Sequence, residues 1–202
     1  VDGAAQRATP HNAVGYFGTP RVRLVSEAKC NACHEQLQAH GGNRNGDPQG
    51  CLVCHNSSGA YGDDTDIAGS IAMAAFIHNL HAGKMPIFAN ITYPQSPERC
   101  EACRGTGTGF ASYNVARDDA LPISTAPGAD EFNVFDDTWS SATAGTCGTC
   151  HDSVDARAHM TQNGGVFDAA GGKTLTPSSA TEACGVCHGA GRSQDTARVH
   201  GN

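Results

Sequence analysis

Apolar residues along this 202-residue chain come in short, widely spaced groups, and only one group holds a helical period for long. Over "TDIAGSIAMAAFIHNLH", residues 65–81, Ile67, Ile71, Ala74, Ala75, His78 and His81 recur at helical spacing. This predicts a helix from about Thr65 to His81, with a Thr or Asp cap and Gly83 as its stop. The longest apolar stretch, residues 67–77, lies inside it, is interrupted by Gly69 and Ser70, and is too short to span a bilayer. Between residues 104 and 146 the pattern predicts a short strand or two, around "NVF" and "TGFASYNV". "GGNRNGDPQG" (41–50) and "RGTGTGF" (104–110) read as turns and irregular loops.

Composition sharpens the difficulty that the pattern raises. Leu, Ile, Val and Phe together make up 30 of the 202 residues, below the roughly 20% under which a charged chain stays disordered. A chain of this length should bury roughly 70% of its unfolded surface. Something other than side chains must supply the core.

The ten cysteines all fall in Cys-x-x-Cys pairs: Cys30 and Cys33, Cys51 and Cys54, Cys100 and Cys103, Cys147 and Cys150, Cys184 and Cys187. Five disulfides or zinc would account for the pairs. Neither accounts for the histidine that directly follows in "CNACH", "CLVCH", "CGTCH" and "CGVCH". Covalent haem c accounts for both, because two thiols add to the two vinyl groups of one porphyrin and the adjacent histidine reaches the iron from one face. Each porphyrin is a large flat apolar body, so the haems become the core and the haem-free chain should be largely unfolded. The predicted fold is mainly irregular with short α-helices and little or no β-sheet, a single multihaem domain over 1–202, with 1–24 as an extended arm and 25–202 as the haem-binding body. Each cassette is expected on a short helix, three of them announced by the cap signals "SEAKC", "SPERC" and "TEAC".

Five haems with two axial histidines each need ten, and the chain has ten. His34, His55, His151 and His188 are the proximal ligands by adjacency. His40, His159 and His200 follow a cassette within 6 to 12 residues and suit distal ligation. His78 and His81, three apart on the predicted helix, cannot grip one iron from opposite faces, but they can serve two neighbouring haems. The third cassette along the chain, "CEACR", ends in Arg104, whose guanidinium has no lone pair to offer iron. Three readings remain open there: His11 takes the proximal place, the haem is open on one face, or no haem is attached. The expectation is therefore five haems, with four as the minimum.

The stretches "CNACHEQLQAHGGNRNGDPQGCLVCHN", "FIHNLHAGK", "CGTCHDSVDARAHMTQNGG" and "CGVCHGAGRSQDTARVH" resemble a pentahaem domain of the MtrC and OmcA type of outer-membrane decahaem cytochromes of metal-reducing bacteria. The resemblance covers about residues 21–200. It implies bis-histidine haems, with His40, His78, His81, His159 and His200 at the positions of the distal ligands. That family also carries β-barrel domains; none is present here, which implies a fragment or a small stand-alone relative. Arg104 departs from the family pattern, and His11 lies outside the matched region.

The function expected is electron transfer along a closely packed haem chain, in a protein that is extracellular or on the outer-membrane surface, with the periplasm as second choice. Its partners would be other cytochromes or copies of itself, polymerised into a filament in one version, and minerals or redox shuttles as acceptors. Val1 is expected to be a mature or truncated N-terminus, with no transmembrane segment. The formal charge of −7 argues against nucleic acid. The rival reading is an enzyme, a nitrite- or sulfite-type anion reductase using an open haem at Cys100 and Cys103. The acid pairs at 63–64, 118–119 and 136–137 read as solvated turns rather than calcium sites.

Overall fold

The computed structural model describes residues 23–61, 69–94, 98–105, 120–130 and 132–200. His11, residues 1–22 of the 1–24 arm, the "TGFASYNV" segment and Ser96 of "SPERC" lie outside the described residues.

Short elements follow one another without a large layer. The first helix, α1 (Glu27–His34), carries the first cassette; a hairpin of β1 (Gln38–Ala39) and β2 (Arg44–Asn45) leads to α2 (Pro48–Cys51), which ends on the second. Asp47 caps α2 by accepting from the Gln49 amide, and Pro48 opens its first turn. Strands β3 (Ala60–Tyr61) and β4 (Gly69–Ser70) pair before α3 (Met73–His81). The third cassette lies on a 3-10 turn, Cys100–Ala102. A three-stranded antiparallel sheet joins β5 (Ile123–Ala126), β6 (Thr138–Ser140) and β7 (Ala169–Ala170), in that order. Four helices complete the chain: α4 (Ala142–Cys147), α5 (Val154–Gln162), α6 (Gly185–His188) and α7 (Thr196–His200).

Two expectations are corrected and a third, of little or no sheet, is narrowed to little. The helix predicted from Thr65 starts at Met73, because Gly69 and Ser70 are taken into a strand against Tyr61 and Ala60; Gly83 stops it as expected, at φ +67°. "NVF" is a turn, not a strand, held by Asn133 Oδ1 accepting from the Phe135 amide. Some sheet is present among the described residues, although no strand exceeds four residues. Sequences such as "RN", "QA" and "TWS" carry no alternation long enough to announce it.

Side chains bury little apolar surface. The buried hydrophobic residues among those described are Ala72, Ala75, Met85, Ile123, Ala142, Ala144 and Met160, mostly small. Polar contacts do part of the packing instead. Lys173, 2% exposed, donates to the Ser57 carbonyl at 2.9 Å and to Ser124 Oγ at 2.7 Å. Ser124 Oγ in turn donates to Asp137, whose other oxygen accepts the Gly128 amide. This buried chain of charge and hydroxyl ties the loop after the second cassette to the three-stranded sheet. Burial pushes the Lys173 ammonium below its ordinary value, and Asp137 pulls it part of the way back.

The "TEAC" signal has a different use from the one its local pattern suggests. Glu182 does not open α6, whose N-cap is Cys184. It is buried and accepts from Ser141 Oγ at 2.6 Å and from the Ala144 and Thr143 amides at 2.7 and 3.0 Å, so it caps α4 from 38 to 41 residues away. In "SEAKC", Ser26 does sit at the N-cap of α1, without a side-chain cap bond.

Candidate functional site

The backbone makes the same turn in four of the cassettes. The amide of the fifth residue donates to the carbonyl of the first cysteine at 2.9 Å in His55 to Cys51, Arg104 to Cys100, His151 to Cys147 and His188 to Cys184; His34 lies within α1. The second cysteine of four pairs, Cys33, Cys54, Cys150 and Cys187, is exposed, while the first of each pair is partly covered. Burial pushes the Cys147 thiol up to about 11, reinforced by nearby Cys184 and Glu182. Large apolar side chains stand bare in and beside the cassettes, with Val53 78%, Val186 70% and Val154 83% exposed. A flat apolar partner would cover such surface at a gain of roughly 25 cal/mol per Å².

Eight histidines face one another in four pairs. Ring centres lie 6.1 Å apart in His34 and His81, 6.2 Å in His40 and His55, 5.9 Å in His151 and His200, and 6.2 Å in His159 and His188. Every pair joins a cassette histidine to one outside a cassette. An iron between two imidazoles needs a bond of about 2 Å on each side plus about 1.1 Å to each ring centre, or about 6 Å in all. The donor set therefore fits a bis-histidine haem at four cassettes.

Tautomers fit as well. His55 Nδ1 meets the Ile71 carbonyl at 2.8 Å, His81 Nδ1 the Ile77 carbonyl at 2.9 Å, and His188 Nδ1 the Gln194 carbonyl at 3.1 Å. A carbonyl only accepts, so Nδ1 carries the proton in each, and the lone pair is left on Nε2. His40 is aimed from the turn of the β1–β2 hairpin, at φ +52°, followed by Gly41 and Gly42, also at positive φ. The last turn of α3 aims His81, whose ring also stacks on Tyr93 at 5.0 Å; Phe76 of the same helix lies 4.9 Å from His55. Nothing in the local pattern around Tyr93 announces that contact.

His78 is the ninth described histidine and belongs to none of the four pairs. It is half-buried, and its Nδ1 is shut off from solvent with no hydrogen-bond partner. Burial, then the neighbouring Arg104 and His81, lowers its pKa to about 4. Arg104 also acts on the thiols of Cys100, Cys103 and Cys147, so its charge lies at the third cassette and not away in solvent. That cassette is clamped to the first: Arg104 forms an antiparallel bridge with Val25, the Ser26 amide donates to the Cys103 carbonyl at 3.0 Å, and the Gly105 amide donates to the Leu24 carbonyl at 3.1 Å.

Thiol proximities order the cassettes in space. Cys51 acts on Cys30, Cys30 and Cys33 couple to Cys103, Cys100 couples to Cys150, and Cys147 to Cys184. The run is second, first, third, fourth, fifth, and the third cassette stands in its middle.

A family model described as outer membrane cytochrome MtrC/MtrF-like, domains II/IV, matches residues 22–201. Among solved structures, the outer-membrane decahaem cytochrome OmcA superposes with a TM-score of 0.55 at 21% identity, over 95% of this chain and 27% of that one. MtrC from Shewanella baltica OS185 superposes at 0.50 and 15% identity, over 86% of this chain and 27% of that one. At these identities the likeness is one of fold, and the chain spans about a quarter of the length of either structure. A sequence comparison with curated proteins gave no match.

Proposed function

Because the chain belongs to the family of MtrC/MtrF-like outer-membrane cytochromes, domains II/IV, we propose that it relays electrons outside the cell through covalently attached c-type haems. The observation that carries this reading is the set of four imidazole pairs, each about the width of an iron between two rings and each anchored on one cassette.

In this reading Cys30 and Cys33 hold the first haem between His34 and His81. Cys51 and Cys54 hold the second between His55 and His40. Cys147 and Cys150 hold the fourth between His151 and His200, and Cys184 and Cys187 hold the fifth between His188 and His159. Cys100 and Cys103 would hold the third, together with His78. The haem supplies one-electron exchange at a potential that the protein sets. What the chain supplies is position: α3 presents His78 and His81 three residues apart and thereby fixes two neighbouring haems to one rigid element. The carbonyls on His55, His81 and His188 hold the imidazoles in one tautomer and orientation through a change of charge. Haems held by these four imidazole pairs would have no open position, which suits exchange of electrons rather than of ligands.

The protein works at the outer-membrane surface or beyond it, with other cytochromes as donors and extracellular acceptors beyond them. No helix of the described residues is long and apolar enough to cross a membrane. Intact mass of the denatured holoprotein, with its ferric spectrum and a potentiometric titration, tests the reading. Expected are at least four covalent haems, at least four of them low-spin, titrating reversibly over a spread of potentials. A colourless chain, or haems lost on denaturation, overturns it.

A further inference from the structure

Where the other four cassettes place an imidazole, the third places a guanidinium on an unchanged backbone. The Arg104 amide makes the same 2.9 Å bond to the first cysteine's carbonyl as His55, His151 and His188 do, so its side chain leaves the cassette from the position of a proximal ligand. The Val25 bridge holds it there. His78, outside the four imidazole pairs, lies within reach of the Arg104 charge, and its Nδ1 is shut off from solvent without a hydrogen-bond partner.

We propose that the haem at Cys100 and Cys103 is ligated by His78 alone, and that its opposite face binds a small monovalent anion against the Arg104 guanidinium. This rests on the haem reading above and deepens it at one site.

Three properties of the site support it. Arginine stays protonated and has no lone pair, so it cannot close the coordination sphere itself. Its N–H groups are instead suited to an anion, which gains a charge-assisted hydrogen bond that a neutral ligand of the same size does not. Arg104 is also kept at the cassette: it is half-buried and its charge acts on Cys100, Cys103, Cys147 and His78. Binding is a donation of the anion's lone pair to ferric iron; no electron is transferred and no bond in the protein breaks.

The place of the site gives it a consequence. The third cassette lies between the first and the fourth, so the anion acts on the middle of the relay. An anion prefers ferric to ferrous iron, and it lowers the potential of the haem it binds. Throughput then depends on anion concentration.

Azide titration of the ferric holoprotein is the test, with haems counted by intact mass on the same sample. The expected results are five haems, one of the five high-spin, conversion of that one alone by saturating azide, and a lower potential for one haem in five. Carbon monoxide should bind one reduced haem in five. Arg104→His should make all five low-spin and abolish azide binding. Arg104→Gln should keep the high-spin haem and weaken azide about tenfold, the loss of one charge-assisted hydrogen bond. A mass of four haems overturns the proposal and leaves the relay reading standing. So does a five-haem protein that is wholly low-spin, the outcome if His11 ligates the third iron. Arg104→Gln binding azide as tightly as the unaltered protein also overturns it. A protein without covalent haem overturns both readings.

Discussion

Glu182 and Ser141 are joined by a 2.6 Å hydrogen bond across 41 residues, and the same carboxylate takes the Thr143 and Ala144 amides at the start of α4. The helix that ends on Cys147 is thus capped by a residue two positions before Cys184. One buried carboxylate couples the fourth cassette to the fifth.

Replacing it should loosen both. Glu182→Ala is expected to leave buried donors unsatisfied and to destabilise the holoprotein by about 2–3 kcal/mol. At this chain length that corresponds to a fall in Tm of about 5–10 °C. Thermal unfolding followed by circular dichroism checks it, and a Tm within the error of the unaltered protein would remove the cap from the account.

Lys173 should matter as much for a different reason. Lys173→Met keeps the length of the side chain but leaves the Asp137 carboxylate buried without its cation, at a cost of about 3 kcal/mol. The pH dependence carries a sign. Since the folded value of Lys173 lies below its ordinary 10.5, the unfolded chain binds the extra proton in the alkaline window between them. This group's contribution therefore rises with pH there, and the gap between unaltered protein and variant should widen. Denaturant titrations of both at neutral and alkaline pH measure it.

The histidine pairs make a prediction about spin state. His81→Ala should open the first haem, His40→Ala the second, His200→Ala the fourth and His159→Ala the fifth, each adding one high-spin haem to the count. His78→Ala should leave the number unchanged and alter the third haem alone. Electron paramagnetic resonance of the ferric proteins gives the counts; a variant that adds none has its pair wrongly assigned.

If the haems are the core, the haem-free chain should show no trace of the thiol environments described above. In a folded apoprotein the exposed Cys33, Cys54, Cys150 and Cys187 would alkylate first. Cys147 would lag until the pH approached about 11, because only the thiolate reacts. The expected result for chain made without haem attachment is instead similar rates at all ten cysteines under native conditions, read by mass spectrometry of the alkylated peptides. A selective lag at Cys147 would mean that side chains alone hold the fold.

The cassettes could be read directly from the chain because their chemistry is local. Two thiols and one imidazole within five residues are what one porphyrin needs, whatever the rest of the protein does, and the oddity of Arg104 and the shortage of apolar residues are as plain in the chain. The count of ten histidines allowed two for each of five haems, and eight of them meet in pairs across the fold. Which histidine faces which was not legible: His34 meets His81 and His151 meets His200 only after the chain has turned back on itself. Local pattern also misled where a residue had a distant use. Glu182 looked like a helix start beside Cys184 and caps α4; Ser70 looked helical and pairs as a strand. The reason is physical. With few large apolar residues to set a period, each short segment is nearly indifferent between conformations, and long-range contacts choose among them. Sequence alone determined what the sites are made of. Tertiary structure decided how they pair and in what order they run, and it set Arg104 beside His78.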